Sequence, residues 1–172
     1  MISINRVWAM PNKNTFEIPP VHKLIERYFT TSVWIDPFAN TCSIADYTND
    51  IDPKMPTGYH LEAMDFLKMF PDDSINGVLF DPPYTQRQLA EVYHRFNLSV
   101  NMQTTQTSYW SNLKNEIARI IVPGGYVISA GWNTNGTGKK RGFKMLEILI
   151  IAHGSQHNDT LITVERKMQE RL

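Results

Sequence analysis

Cysteine occurs once in the 172 residues, at Cys42, so an internal disulfide and a multi-cysteine zinc site are both excluded. The five histidines, His22, His60, His94, His153 and His157, show no tight ligand spacing with acids, and no metal is expected. No apolar run approaches the roughly 20 residues of a membrane helix. The opening MISINRVWAMPNK lacks the charged-then-apolar build of a signal peptide. A soluble, cytoplasmic protein with no membrane partner is the expectation. Excess charge is missing as well: 17 basic residues balance 17 acidic ones, so any basic surface for nucleic acid must be local. No G-x-G-x-x-G is present, which disfavours a dinucleotide pyrophosphate site. A nucleoside ligand without phosphates would not need that loop.

A hydrophobic content of 42% and a charged content of 20% are globular values, and the length suits one domain spanning 1–172. Repeats, low-complexity tracts and linkers are absent. Residues 1–18 read as an irregular lead-in punctuated by Pro11, Asn12 and Asn14. A helix follows from Pro19-Pro20, with Val21, Leu24, Ile25 and Tyr28 or Phe29 on one face. Residues 32–35 read as a strand ending in Asp36-Pro37-Phe38, and a short strand over 59–62 precedes a helix over 63–70. The strand 75–80 stops at Asp81-Pro82-Pro83-Tyr84, because neither proline can donate to a sheet ladder. A helix over 86–97, a polar loop over 98–110 and a helix through Leu113, Ile117, Ile120 and Ile121 come next. Pro123-Gly124-Gly125 ends that helix, and residues 126–130 form the fifth strand. Residues 143–153 and 160–167 pair as an antiparallel hairpin. The class is α/β, a mainly parallel sheet with an antiparallel element at its end.

Acids gather at strand ends: Asp36, Asp50 with Asp52, Glu62 and Asp81. Open α/β sheets bind ligands at that carboxyl edge, and an acid there can accept from ribose hydroxyls. Taken singly, Asp50 and Asp52 could be turn formers before Pro53, and Asp81 could belong to a plain Pro-Pro turn. Residues 131–142 (GWNTNGTGKKRG) carry four glycines and three consecutive cations. They read either as a solvated turn or as a loop that brings Lys139, Lys140 and Arg141 to phosphates beside Trp132. Arg87 and Arg95 on the 86–97 helix are further candidates for nucleic-acid contact.

These residues resemble the small phage-type S-adenosylmethionine-dependent adenine-specific (N6) DNA methyltransferases. Asp81-Pro82-Pro83-Tyr84 matches that family's [DNS]-P-P-[YFW] catalytic motif. In the family's order stand Thr15-Phe16, Asp36-Pro37-Phe38, Thr48-Asn49-Asp50, Glu62-Ala63-Met64 and Pro123-Gly124-Gly125, with the 142–160 tail, so the likeness runs over about 14–167. The chain departs from the family in places: two glycines of its D-P-F-x-G-x-G are Asn40 and Cys42 here, and the connection from the fifth strand to the hairpin is too short for a full helix. The resemblance implies a class I methyltransferase fold, a Rossmann-like seven-stranded sheet whose last strand is antiparallel; the expected absence of a separate target-recognition domain is a further departure from the family. It implies S-adenosylmethionine held by Thr15, Phe16, Asp36, Pro37, Phe38, Asp50, Glu62 and Asp81, with Asp50 on the ribose and Glu62 on the cofactor's adenine. DNA is the implied partner, with RNA adenine, cytosine N4 or a non-catalytic binding module as alternatives, and a monomer or homodimer as the assembly. Chemically, an adenine amine is a poor nucleophile. The Asp81 carboxylate and the Pro82 carbonyl would take its two N–H groups, Pro83 would stiffen the turn, and Tyr84 would stack on a flipped base. Asp81 need not be a general base, and no raised pKa is expected for it.

Overall fold

Apolar runs ending in turn-forming residues become strands, and the helices between them follow the spacing of their buried side chains. The structure is a computed structural model that describes residues 1–29, 33–98, 108–154 and 157–168. The first half of the chain contributes β1 (Ser3–Trp8), α1 (Pro19–Tyr28), β2 (Trp34–Asp36), β3 (Tyr47–Thr48), α2 (Ala63–Lys68) and β4 (Ile75–Phe80). The second half contributes α3 (Gln86–Arg95), α4 (Ser108–Ile120), β5 (Ile121–Gly131), β6 (Phe143–Ala152) and β7 (Thr160–Lys167). All seven strands join one sheet in the order β1-β6-β7-β5-β4-β2-β3. Neighbours are parallel except where β7 runs antiparallel between β5 and β6. The expected α/β class, with seven strands and an antiparallel terminal hairpin, is the architecture that forms.

Each face of the sheet has its own core. Val21, Leu24 and Ile25 of α1 pack with Leu149, Ile151, Ile162 and Val164 on one side. Phe66 and Leu67 of α2 and Leu113, Ile117 and Ile120 of α4 pack with Ile35, Val78, Phe80 and Val127 on the other. Trp34 lies fully buried across β4, where a side chain on Gly77 would run into its ring; only glycine fits there. Because β3 and β4 lie on opposite sides of β2, the chain reverses its winding direction there, opening a crevice at the carboxyl ends of β2 and β4.

The structure corrects four expectations. Residues 1–18 are not irregular throughout: β1 pairs in parallel with β6, a long-range match that no local pattern announces. Residues 59–62 form only an isolated bridge, Tyr59 to Asn49, and the seventh strand is β1 instead. α4 begins at Ser108, inside the expected polar loop; residues 99–107 lie outside the described residues, as does Ser32 at the start of the strand expected over 32–35. Pro123-Gly124-Gly125 sits inside β5, which starts at Ile121 directly after α4.

Candidate active site

The hydrogen-bond partners of the turn after β4 hold it in one shape. Thr85 caps α3 with a reciprocal capping box: its hydroxyl accepts from the Gln88 N–H at 3.1 Å, and the Gln88 side chain accepts from the Thr85 N–H at 3.2 Å. The same Gln88 oxygen accepts from the Tyr84 N–H at 2.8 Å, so the helix cap also positions the aromatic ring. Trp110 Nε1, from the first turn of α4, donates to the Pro83 carbonyl at 2.8 Å. Among the described residues nothing donates to the Pro82 carbonyl. Tyr84 donates its hydroxyl to Asp81 Oδ1. Burial pushes the Asp81 carboxyl above its usual range, partly offset by hydrogen bonds from Thr15 and Tyr84. That is a correction to the expectation of an ordinary pKa. Burial, then the charge and hydrogen bond of Asp81, raise the Tyr84 hydroxyl as well.

Two cavities meet at this turn. The first, about 480 Å³, is lined by Thr15, Pro37, Phe38, Asn40, Asp50 and Tyr109 among others, and the second, about 450 Å³, by Trp110, Lys114, Ser129, Trp132, Asn133 and Arg141 among others. Pro82, Pro83 and Tyr84 line both, so the turn is their common wall.

The floor of the first cavity explains the missing glycines. Asn40 has φ of 52°, the left-handed region that asparagine tolerates best among side-chain-bearing residues. Its N–H donates to Asp50 Oδ2 at 3.0 Å, while Asp50 Oδ1 accepts from the Asp52 N–H at 2.8 Å. Cys42, the second replacement, is buried in the core. Asn49 ties three segments together. Its Nδ2 donates to the Pro37 carbonyl at 3.1 Å and the Leu61 carbonyl at 3.0 Å, and its Oδ1 accepts from the Leu61 N–H at 2.9 Å. Asp36 is buried beneath and accepts from the Phe38 N–H at 2.9 Å. Desolvation holds Asp36 well above the usual carboxylate range, against the pull of that N–H, and the Asp81 and Asp50 charges add to the rise.

Not every expected site residue reaches a cavity. Phe16 is buried in the α1-side core, whereas its neighbour Thr15 lines the first cavity. Glu62 stands at the N-cap of α2, between the lining residues Leu61 and Ala63, and accepts the Tyr93 hydroxyl at 3.0 Å. Arg95 lines the first cavity, and Arg87 is exposed in an ion pair with Glu91 at 2.9 Å. Trp132 lines the second cavity, its ring 5.3 Å from that of Tyr84 at 64°.

The three consecutive cations separate. Lys139 and Lys140 are exposed in a short 3-10 turn. Arg141 folds inward, donating to Asn115 Oδ1 at 2.7 Å, the Thr137 carbonyl at 3.0 Å and Ser111 Oγ at 2.8 Å. The loop is further anchored by buried Glu165, which accepts from the Thr137 and Gly138 N–H groups. A freely moving three-cation loop is therefore not what forms.

Sequence reasoning missed Gln88, Asn49, Trp110 and Lys114. Trp110 stands three residues before Leu113, so extending the helical phase of α4 backward would have found it. Lys114 carried no signal; in the fold, burial and the nearby Arg141 charge lower its pKa. Such a site can hold two ligands on opposite sides of the Pro82–Tyr84 turn, with the Asp81 carboxylate on the side of the first. Among the described residues no group of three or more His, Cys, Asp and Glu is placed to hold a metal ion, and no helix is long and apolar enough to cross a membrane.

No protein-family profile and no curated protein sequence matches the chain. Solved structures do. The chain is similar to an S-adenosylmethionine-dependent methyltransferase from Methanosarcina mazei at 12% identity, over 86% of this chain and 98% of that one, with a TM-score of 0.56. It is similar to the 1,6-didemethyltoxoflavin-N1-methyltransferase of Burkholderia thailandensis, solved with S-adenosylhomocysteine bound, at 10% identity over 88% and 77% of the two chains, TM-score 0.56. The chain spans about half (52%) of a Thermus thermophilus protein described as a DNA modification methylase, at 22% identity over 63% of this chain. That superposition, with a TM-score of 0.41, is too loose to weigh. Identities this low speak for the fold alone, and the fold is that of the class I methyltransferases.

Proposed function

We propose that the chain is an S-adenosylmethionine-dependent methyltransferase whose acceptor is the exocyclic N6 amine of adenine in DNA. One observation carries this reading. The turn after β4 brings the Asp81 carboxylate to the first cavity, and its next three residues, Pro82, Pro83 and Tyr84, are the wall shared with the second.

The first cavity fits the cofactor. Its volume of about 480 Å³ is that of a small-ligand site. Its lining holds the carboxylates of Asp50, Asp52 and Asp81 together with Lys13 and Arg95 and no phosphate-cradling glycine loop, and the mutual repulsion of Asp36, Asp50 and Asp81 favours a positively charged ligand. Asp50 would hold the ribose, Phe38 and Asn40 would flank it, and Thr15 and Asp81 would meet the methionine end. Glu62 would take the cofactor's adenine amine. When bound, S-adenosylmethionine supplies an electrophilic methyl group on a positively charged sulfur.

The protein's part is orientation. In the second cavity, Tyr84 and Trp132 present ring surface to a base taken out of the stack. The Asp81 carboxylate and the Pro82 carbonyl would accept the two N–H groups of the amine, which turns its lone pair toward the first cavity and supports positive charge as it develops. The raised pKa of Asp81 makes its carboxylate a readier proton acceptor than an ordinary aspartate once the amine has to shed a proton. Trp110 keeps the Pro83 carbonyl out of this exchange, so the acceptor meets the Pro82 oxygen. Exposed Lys139 and Lys140 would meet DNA phosphates beyond Trp132.

The test is transfer from methyl-labelled S-adenosylmethionine to duplex DNA and, in parallel, to RNA, followed by digestion to nucleosides. Label in N6-methyldeoxyadenosine is expected. Label in N4-methyldeoxycytidine or in RNA alone would reassign the acceptor. Absence of transfer with no calorimetric cofactor binding would favour a non-catalytic module. Asp81→Ala should abolish transfer while leaving the fold; an active variant removes the role given to that carboxylate.

A further inference from the structure

The two edges of the sheet differ in how they are guarded. The β3 edge is two residues long, which offers little to an incoming strand. The β1 edge is six residues long, with neither proline nor bulge, and one charge, Arg6. Four of the five alternate positions from 2 to 10 are apolar and exposed, Ile2 46%, Ile4 63%, Trp8 65% and Met10 67%, with exposed Arg6 between them. By the period of the pleat Ile4 and Trp8, with Arg6 between them, point to the face of Ile148 and Ile150 on β6, and Ile2 and Met10 continue the same alternation just beyond the strand's two ends. Val7 points the other way, into the α1-side core.

That face is bare for a topological reason. Residues 132–142, between β5 and β6, hold only a 3-10 turn, and the core under α2 and α4 takes Phe143 alone from β6 and nothing from β1 or β7. At roughly 200 Å² for a fully exposed large side chain, the four residues leave about 500 Å² uncovered, as large as the biggest apolar patch on most monomers. Half-buried Ile148 and Ile150 and the free backbone edge bring this toward the ~800 Å² per partner of a stable interface.

We propose that β1 pairs edge to edge with β1 of a second copy, about a two-fold axis normal to the sheet. That axis keeps the Ile/Trp/Met face on the same side in both copies and makes one sheet of the two. Val7 against Val7 is the favoured register: Arg6 then lies opposite the second copy's Trp8 and Ile4 opposite its Met10. Centring on Arg6 instead would set like charges directly opposite each other. A net charge of zero adds no long-range repulsion between copies.

Sedimentation of the full chain across ~1–100 µM tests this, because a reversible dimer must respond to concentration. A mass twice that of the chain is expected, falling to a single chain in the Ile4→Lys/Trp8→Glu double variant. Met69→Lys removes an exposed apolar side chain next to α2, away from β1, and should leave the dimer intact. Hydrogen exchange of the wild type needs no variant: β1 amides should become slower to exchange as concentration rises. A wild type that stays monomeric throughout, a dimer that survives the double variant, or β1 exchange indifferent to concentration would each overturn the proposal.

Discussion

Replacing Trp110 by phenylalanine removes one N–H and keeps an aromatic ring against Tyr109, whose centroid lies 5.3 Å away at 88°. The lost bond is the 2.8 Å contact to the Pro83 carbonyl. A neutral hydrogen bond contributes about 0.5–1.5 kcal/mol net, and about 1.4 kcal/mol is tenfold in rate, so loosening the turn alone should slow transfer about 2- to 10-fold. If the freed Pro83 carbonyl turns inward and displaces the amine by about 1 Å, the loss can reach ~100-fold. The effect belongs to the chemical step, because Trp110 lines the second cavity and not the first. Single-turnover methyl transfer at saturating cofactor should fall, while calorimetry should give a cofactor Kd within about 2-fold of wild type. Trp110→His, which can restore a donor, should recover part of the rate. An unchanged single-turnover rate, or a loss that tracks cofactor affinity, would refute this account of the turn.

Asp36 is raised in the folded state, so its contribution to stability is full below the ordinary aspartate pKa and is lost as pH rises through the folded value. Thermal melts of the protein without cofactor should therefore fall from about pH 4 upward, and Asp36→Asn should flatten that slope; a slope of opposite sign would contradict the assignment. Gly136 has φ of 55°, and a side chain there would press into the Glu165 carboxylate. Gly136→Ala should cost about 2–3 kcal/mol, a Tm fall of ~5–10 °C in a calorimetric scan. Converting Lys139 and Lys140 to alanine should reduce the salt slope of DNA binding by up to about 2, and adding Arg141→Ala should act mainly on stability, since Arg141 is tied inward. An unchanged slope would take that turn out of the interface.

Much of this chain was legible before any fold was considered, and what was legible is local. A proline pair has no N–H wherever it sits, so the strand 75–80 had to stop at Asp81. The spacings of Val21, Leu24 and Ile25 and of Leu113, Ile117 and Ile120 are helical because a buried face recurs every 3.6 residues. The alternation of two apolar runs around a turn made the terminal hairpin readable in the same way. The left-handed backbone at Asn40 was not readable as such, yet asparagine is the replacement for glycine that this geometry tolerates.

What tertiary structure alone decided is everything that joins residues far apart in the chain. β1 looked irregular because it pairs with β6, more than 140 residues on, and five of its six side chains are exposed, only Val7 packing against the core. Arg141 was indistinguishable from Lys139 and Lys140 until α4 brought Ser111 and Asn115 beside it. Asp81 acquired its raised pKa from burial, which sequence does not display. Thus the sequence by itself determined that an acid, two carbonyls and a ring would emerge at a strand's end. Only the packing of α4 decided which of those carbonyls is engaged, because a hydrogen bond between Trp110 and Pro83 depends on position in space and not on spacing along the chain.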